Sequence, residues 1–150
     1  IGLSGWRIGF AISNLKNISK LKTINQHLIT CAPTILQYSC IKNFDLLIDN
    51  GKQHINKILD KRKKLEKFMD ENNIKYLSGS VSATFYFFIE IKSTMSSFEF
   101  SNYLLDNYNI SVVPGGYYGS STNKFLRISI GSESLERIKK ALLLIRDLID

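Results

Sequence analysis

The apolar pattern of this 150-residue chain changes near residue 75. Before that point apolar residues recur mostly at spacings of three and four, as in helices with one buried stripe. Beyond it come runs such as Ala83–Ile91, ATFYFFIEI, rich in the aromatic and β-branched residues that strands favour. A mostly helical first part and a compact second part of order β-α-β-β-α follow, and the chain divides near residues 50–75.

Within the first part, WRIGFAI (Trp6–Ile12) reads as a short strand, and its internal Gly9 suggests close approach by another backbone. Asn14 to Ile29 reads as a helix through Ile18, Leu21, Ile24 and Leu28. Pro33 suits the first position of the next helix, which runs to about Asp49 and breaks at Asn50-Gly51. Residues 52–72 form the longest helical pattern. Ile55, Ile58, Leu59, Leu65, Phe68 and Met69 mark its stripe. Lys57, Lys61, Arg62, Lys63, Lys64 and Lys67 alternate there with Asp60, Glu66, Asp70 and Glu71, which reads as a solvated face rather than a phosphate-binding patch.

In the second part, Ser96–Tyr108 is a helix capped by Ser96 or Ser97, with Glu99 in its first turn. Asn109–Val113 and Phe125–Ile130 are strands. Ser132 is the expected N-cap of a last helix reaching about Leu148.

Twenty Lys and Arg stand against 13 Asp and Glu, a net +7. Residues 1–75 hold 13 basic and 6 acidic side chains, and residues 76–150 hold 7 of each. An RNA-binding ferredoxin-like module wants cations among exposed sheet aromatics, yet ATFYFFIEI contains none. No nucleic-acid partner is therefore expected. No membrane span is expected either, since no apolar run nears the roughly 20 residues required. Cys31 and Cys40 match no zinc or redox spacing and read as packing thiols of a reducing, cytoplasmic protein. His27 and His54 have no metal-ligand or triad spacing, and no metal site is predicted.

Two arginines stand out. Arg7 follows Gly5-Trp6, and Arg127 sits inside FLRISI, on the face of Phe125 and Ser129 and opposite Leu126, Ile128 and Ile130. Each guanidinium either makes a surface or structural ion pair or captures a carboxylate or phosphate bidentately. Val112–Gly119, VVPGGYYG, reads as a glycine-rich loop with aromatic walls or as a plain turn. Cys31-Ala32-Pro33-Thr34, followed by Gln37, enters a helix.

Together these motifs resemble the fold-type I, pyridoxal-phosphate-dependent aminotransferases of class I/II, of the aspartate, aromatic and histidinol-phosphate kind. GLSGWRIGF (residues 2–10) is similar to the segment that follows the family's Schiff-base lysine. CAPT with Gln37 is similar to the loop before an interface helix, VVPGGYYG to "VxPGxxFG", and FLRIS to the strand bearing the substrate-carboxylate arginine. The resemblance implies an α/β fold, with residues 1–50 ending the large cofactor-binding domain, 51–73 a long connecting helix and 74–150 the small domain. It implies pyridoxal 5'-phosphate as cofactor, amino acid and 2-oxo acid as substrates, and a homodimer.

By the same resemblance Arg7 contacts the cofactor phosphate, Arg127 clamps the α-carboxylate, and Tyr118 and Gly116 line the substrate pocket. The catalytic lysine is expected about two residues before Ile1, so the chain reads as part of a longer polypeptide and as inactive alone. A β-lyase or synthase of the same fold would reuse both the cofactor and the clamp. Ser120–Lys124 departs from the family's glycine-rich approach to the arginine strand.

Overall fold

A computed structural model describes residues 4–77 and 84–149. The opening Ile1-Gly2-Leu3 of the first motif and Ala83, the expected start of a strand, lie outside the described residues. The chain forms two compact units, Ile1–Asn56 and Lys57–Asp150.

In the first unit a 3-10 turn, Ser4–Trp6, leads to Arg7 at φ 57°. The expected strand Trp6–Ile12 is not there. Its composition suits a sheet, but no described segment pairs with it, and a lone strand has no ladder to hold it. A Cβ placed on Gly9 would meet nothing within 4 Å, so the space on its side-chain side is open.

Helix α1 (Leu15–Leu28) starts where Asn14 accepts the Asn17 N–H at 2.9 Å, an N-cap bond. Helix α2 (Thr34–Lys42) follows Pro33, and Gln37 Nε2 folds back to donate to the Ala32 carbonyl at 2.8 Å. Neither helix buries a residue, and Leu28, Ile35 and Ile41 are each about three-quarters exposed.

The expected break at Asn50-Gly51 falls instead at Asn43, whose side chain donates to the Ser39 carbonyl at 2.9 Å. Such a local bond competes with the helical ladder. Helix α3 (Phe44–Glu71) then passes through Gly51 without interruption. One glycine costs a helix only about 1 kcal/mol, which 28 consecutive residues absorb.

The second unit is a three-stranded antiparallel sheet under helices. Its strands β1 (Tyr86–Glu90), β2 (Val113–Pro114) and β3 (Phe125–Ser129) take the order β1-β3-β2. Helices α4 (Ser97–Tyr108) and α5 (Leu135–Ile149) complete it. Alternation sends Phe87, Ile89 and Leu126 to one face. There Phe87 and Ile89 meet Leu65 and Met69 of α3 with Ile138 and Leu142 of α5. Leu126 packs with Phe100 and Leu104 of α4 and Ile145 of α5. Outside β1, residues 75–77 run alongside, with Leu77 donating to Phe88 at 2.8 Å and Glu90 to Lys75 at 2.9 Å.

Two cations expected on a solvated face are not there. Arg62 is buried, stacked 4.1 Å from the Phe87 centroid, donating to the Tyr86 carbonyl at 3.0 Å and paired with Glu66 at 2.9 Å. Lys61 Nζ donates to the carbonyls of Ile130 at 3.0 Å and Glu133 at 2.8 Å. Their polar ends satisfy backbone oxygens at the strand ends, which periodicity alone does not reveal. Lys57, Lys63, Lys64 and Lys67 are exposed as read.

Two boundaries also moved. Of the expected strand Asn109–Val113 only Val113 pairs, because Asn109 (φ 56°) and the Ile110 N–H, 3.2 Å from the Leu104 carbonyl, close off α4. Ser134 rather than Ser132 caps α5, accepting the Arg137 N–H at 3.3 Å. Lys61 holds the turn closed at Glu133, so the helix begins later.

Ser96 and Glu99 form a capping box at α4. The Ser96 backbone N–H, 2.7 Å away, holds the Glu99 carboxyl below the usual carboxylate range, and the Ser96 side chain adds to this. A pKa lowered by folding stabilises above the unfolded value of about 4.3, and that gain is lost as pH falls through the folded value. Glu99→Ala should therefore lower the urea midpoint at pH 7 and change it little at pH 3. Equal shifts at both pH values would refute a charge-dependent cap.

Candidate functional site

The sheet face opposite the core carries the candidate site. Arg127 is central on β3, opposite Phe88 of β1 and Val113 of β2. Cross-strand partners and residues two apart share a face, so Tyr86, Phe88, Phe125 and Arg127 stand together there, all half-buried. The guanidinium carbon lies over the Tyr86 ring, 4.3 Å from its centroid, and over the Tyr118 ring at 5.2 Å. Tyr118 meets Phe88 edge to face at 5.4 Å. Arg127 Nε is buried and makes no hydrogen bond, and among the described residues no carboxylate pairs with this guanidinium.

Tyr118 reaches the site from a 3-10 turn, Gly115–Tyr118, that follows β2 directly. The turn is anchored at its start. The Gly116 N–H donates to Ser97 Oγ at 3.0 Å, and that hydroxyl donates to Asn123 Oδ1 at 3.1 Å. Thr122 Oγ1 donates to the Gly115 carbonyl at 2.7 Å. A Cβ on Gly116 would point at Phe98, 2.6 Å away, so this glycine serves the seat of the turn on α4. The Ser120–Lys124 segment that departs from the family pattern supplies Thr122 and Asn123 to this seat. Lys124 Nζ reaches the Ser93 and Met95 carbonyls, each at 2.8 Å.

The structure thus brings together two of the residues singled out from sequence, Arg127 and Tyr118. Gly116 sits beside them on the same turn with its Cα toward α4. Arg7 belongs to the first unit, exposed after the Ser4–Trp6 turn, with open space beside Gly5 and Gly9. Tyr86 was not singled out. Strand alternation groups it with Phe88, but only the β1–β3 register sets it against Arg127. A groove of about 650 Å³, lined among others by Tyr108, Val112, Arg137 and Leu144, includes none of Tyr86, Tyr118 and Arg127. No described helix is long and apolar enough to cross a membrane.

A Staphylococcus aureus aminotransferase shares this fold with a TM-score of 0.82 at 23% identity, over 99% of this chain and 39% of its own. A Methanococcus jannaschii protein, whose structure was reported as similar in its active site to kynurenine aminotransferases, superposes with a TM-score of 0.73 at 30% identity. That match covers 99% of this chain and 39% of the other. Residues 1–143 match the family model for aminotransferase class I and II, and the chain belongs to that family.

Among curated relatives, the aspartate aminotransferase of Pyrococcus abyssi is 30% identical over 149 residues, 93% of this chain and 38% of that protein. The (5-formylfuran-3-yl)methyl phosphate transaminase of Methanocaldococcus jannaschii is 30% identical over 152 residues, 93% of this chain and 39% of that protein. The chain spans under two fifths of the length of these relatives. Its fold is the C-terminal region of the α/β, fold-type I architecture.

Proposed function

We propose that the protein carrying this chain is a pyridoxal-phosphate-dependent aminotransferase that moves an amino group from an amino acid to a 2-oxo acid. The observation that carries the reading is Arg127, an arginine in the middle of a strand with no acidic partner among the described residues, in a chain of this family. A guanidinium so placed offers a planar fork to a carboxylate. Both substrates bear that carboxylate, so one clamp serves both halves of the exchange. Clamping at the α-carboxylate orients the Cα–H bond, and orientation is a large part of the rate. Tyr118 and the turn bearing Gly116 wall the pocket beside it.

The chain's residues fit part of a cofactor site. Arg7 is an exposed cation of the first unit, a group of the kind that binds a phosphate. When bound, pyridoxal phosphate supplies the electron sink for breaking the Cα–H bond. Arg7 would hold its phosphate. In this reading residues 1–50 close the large domain, 51–73 connect, and 74–150 are the small domain. The free thiols Cys31 and Cys40 suit a reducing cytoplasm, and the exposed apolar residues of α1 and α2 suit a homodimer contact.

The test is the half-reaction of the holoenzyme. An amino acid should yield its 2-oxo acid in stoichiometric amount, and an added 2-oxo acid should restore the starting cofactor spectrum. Release of pyruvate with ammonia would mark a β-lyase instead. Arg7→Ala should weaken pyridoxal phosphate binding tenfold or more, the order of a lost charge-assisted hydrogen bond, and leave binding of unphosphorylated pyridoxal unchanged. Equal losses for both would remove Arg7 from the phosphate.

A further inference from the structure

We infer that Tyr86 is a positioning residue that, with Tyr118, holds the Arg127 guanidinium against aromatic rings rather than a carboxylate and so leaves its terminal N–H groups for a substrate carboxylate. The inference rests on Arg127 being the carboxylate clamp and adds what makes it one.

A strand arginine is ordinarily held by an acidic side chain, which consumes the same N–H edge that a ligand would need. Here the holding contact is of another kind. The guanidinium carbon lies 4.3 Å from the Tyr86 centroid and 5.2 Å from that of Tyr118. A cation over an aromatic ring is attracted by the ring's negative face, so its N–H groups remain undischarged. The buried, unbonded Nε points the same way. One donor is shut away from any ligand, and the N–H groups of the two terminal nitrogens are left for a bidentate partner.

The two rings are supported differently. Tyr86 belongs to β1, where its carbonyl takes the Arg62 guanidinium at 3.0 Å and its neighbour Phe87 is buried. Tyr118 stands on the 3-10 turn, half exposed, with its edge against Phe88. The nearer ring is thus on the more firmly held element, which assigns the main positioning role to Tyr86.

The test compares Tyr86→Leu, Tyr86→Phe, Tyr118→Leu and Arg127→Lys in the holoenzyme, using an α-amino acid and the corresponding amine without its carboxylate. Tyr86→Leu should raise KM for the amino acid and the oxo acid on the order of tenfold, with kcat changed less than KM. The reaction of the bare amine should not change. Tyr86→Phe, which keeps the ring, should restore KM to within about twofold. Tyr118→Leu should act in the same direction with a smaller rise; its half-exposed ring makes it the informative variant if Tyr86→Leu fails to fold.

An equal effect of Tyr86→Leu on amino acid and bare amine would overturn the inference, as would failure of Tyr86→Phe to rescue. If Arg127→Lys raises KM while neither tyrosine variant does, the clamp stands and the positioning role falls. If Arg127→Lys itself leaves KM unchanged, the clamp reading fails first.

Discussion

Arg127→Ala should lower the affinity of the holoenzyme for its amino acid on the order of a hundredfold. A bidentate, charge-assisted carboxylate contact is worth roughly 3 kcal/mol, and each 1.4 kcal/mol is a factor of ten. Cofactor content should be unaffected, since the assigned phosphate ligand is Arg7. Folding should survive as well. The Arg127 side chain leaves the sheet on the face opposite Leu126, which alone of the two enters the core. Titrating amino acid against the cofactor absorbance measures the change directly. Unchanged affinity would place the carboxylate elsewhere, and loss of cofactor along with affinity would make the arginine structural.

Gly115→Ala should be among the most damaging single-methyl substitutions in the second unit. A Cβ there would overlap the backbone carbonyl oxygens of Thr122 and Phe125. Neither can swing aside as a side-chain tip would, because Phe125 opens β3 and Thr122 is bonded back to Gly115. Overpacking against well-packed atoms costs about 1–3 kcal/mol even where side chains can shift, and here the backbone itself must move. Gly116→Ala is the control. Its new methyl would meet the Phe98 ring and the Asn123 side chain, which can yield. Urea midpoints of the two variants should therefore differ, with Gly115→Ala the lower. Matching midpoints would mean that the turn is not seated on β3 in this way.

What the sequence could and could not show follows from the range of each interaction. The face of Arg127 is legible because a strand alternates whatever lies beside it, and the structure has it with Phe125 and opposite Leu126. Ser96, Glu99 and α4 are legible for a similar reason, since capping lies within four residues. Errors arise where a distant partner or a competing local bond decides. WRIGFAI has a strand's composition but no described partner. Asn43 stops α2 with a side-chain bond while the more conspicuous Asn50-Gly51 is carried through. Arg62 and Lys61 look like members of a charged helix face, yet their polar ends are taken by carbonyls 24 and 69 positions away in sequence. At the site, Arg127 and Tyr118 stood out within motifs, whereas Tyr86 depended on a register that no short window contains.

The small sheet has a consequence for how such a protein can associate. β3 is paired on both sides, residues 75–77 occupy the outer side of β1, and the two-residue β2 ends in Pro114, which has no N–H to offer. Among the described residues, little open strand edge remains for another chain to extend the ladder. Templated strand addition, the usual hazard of an exposed edge, has correspondingly little backbone to work with here. Association through this part of the protein then falls to side chains, which can select a partner by shape and charge where a backbone ladder cannot.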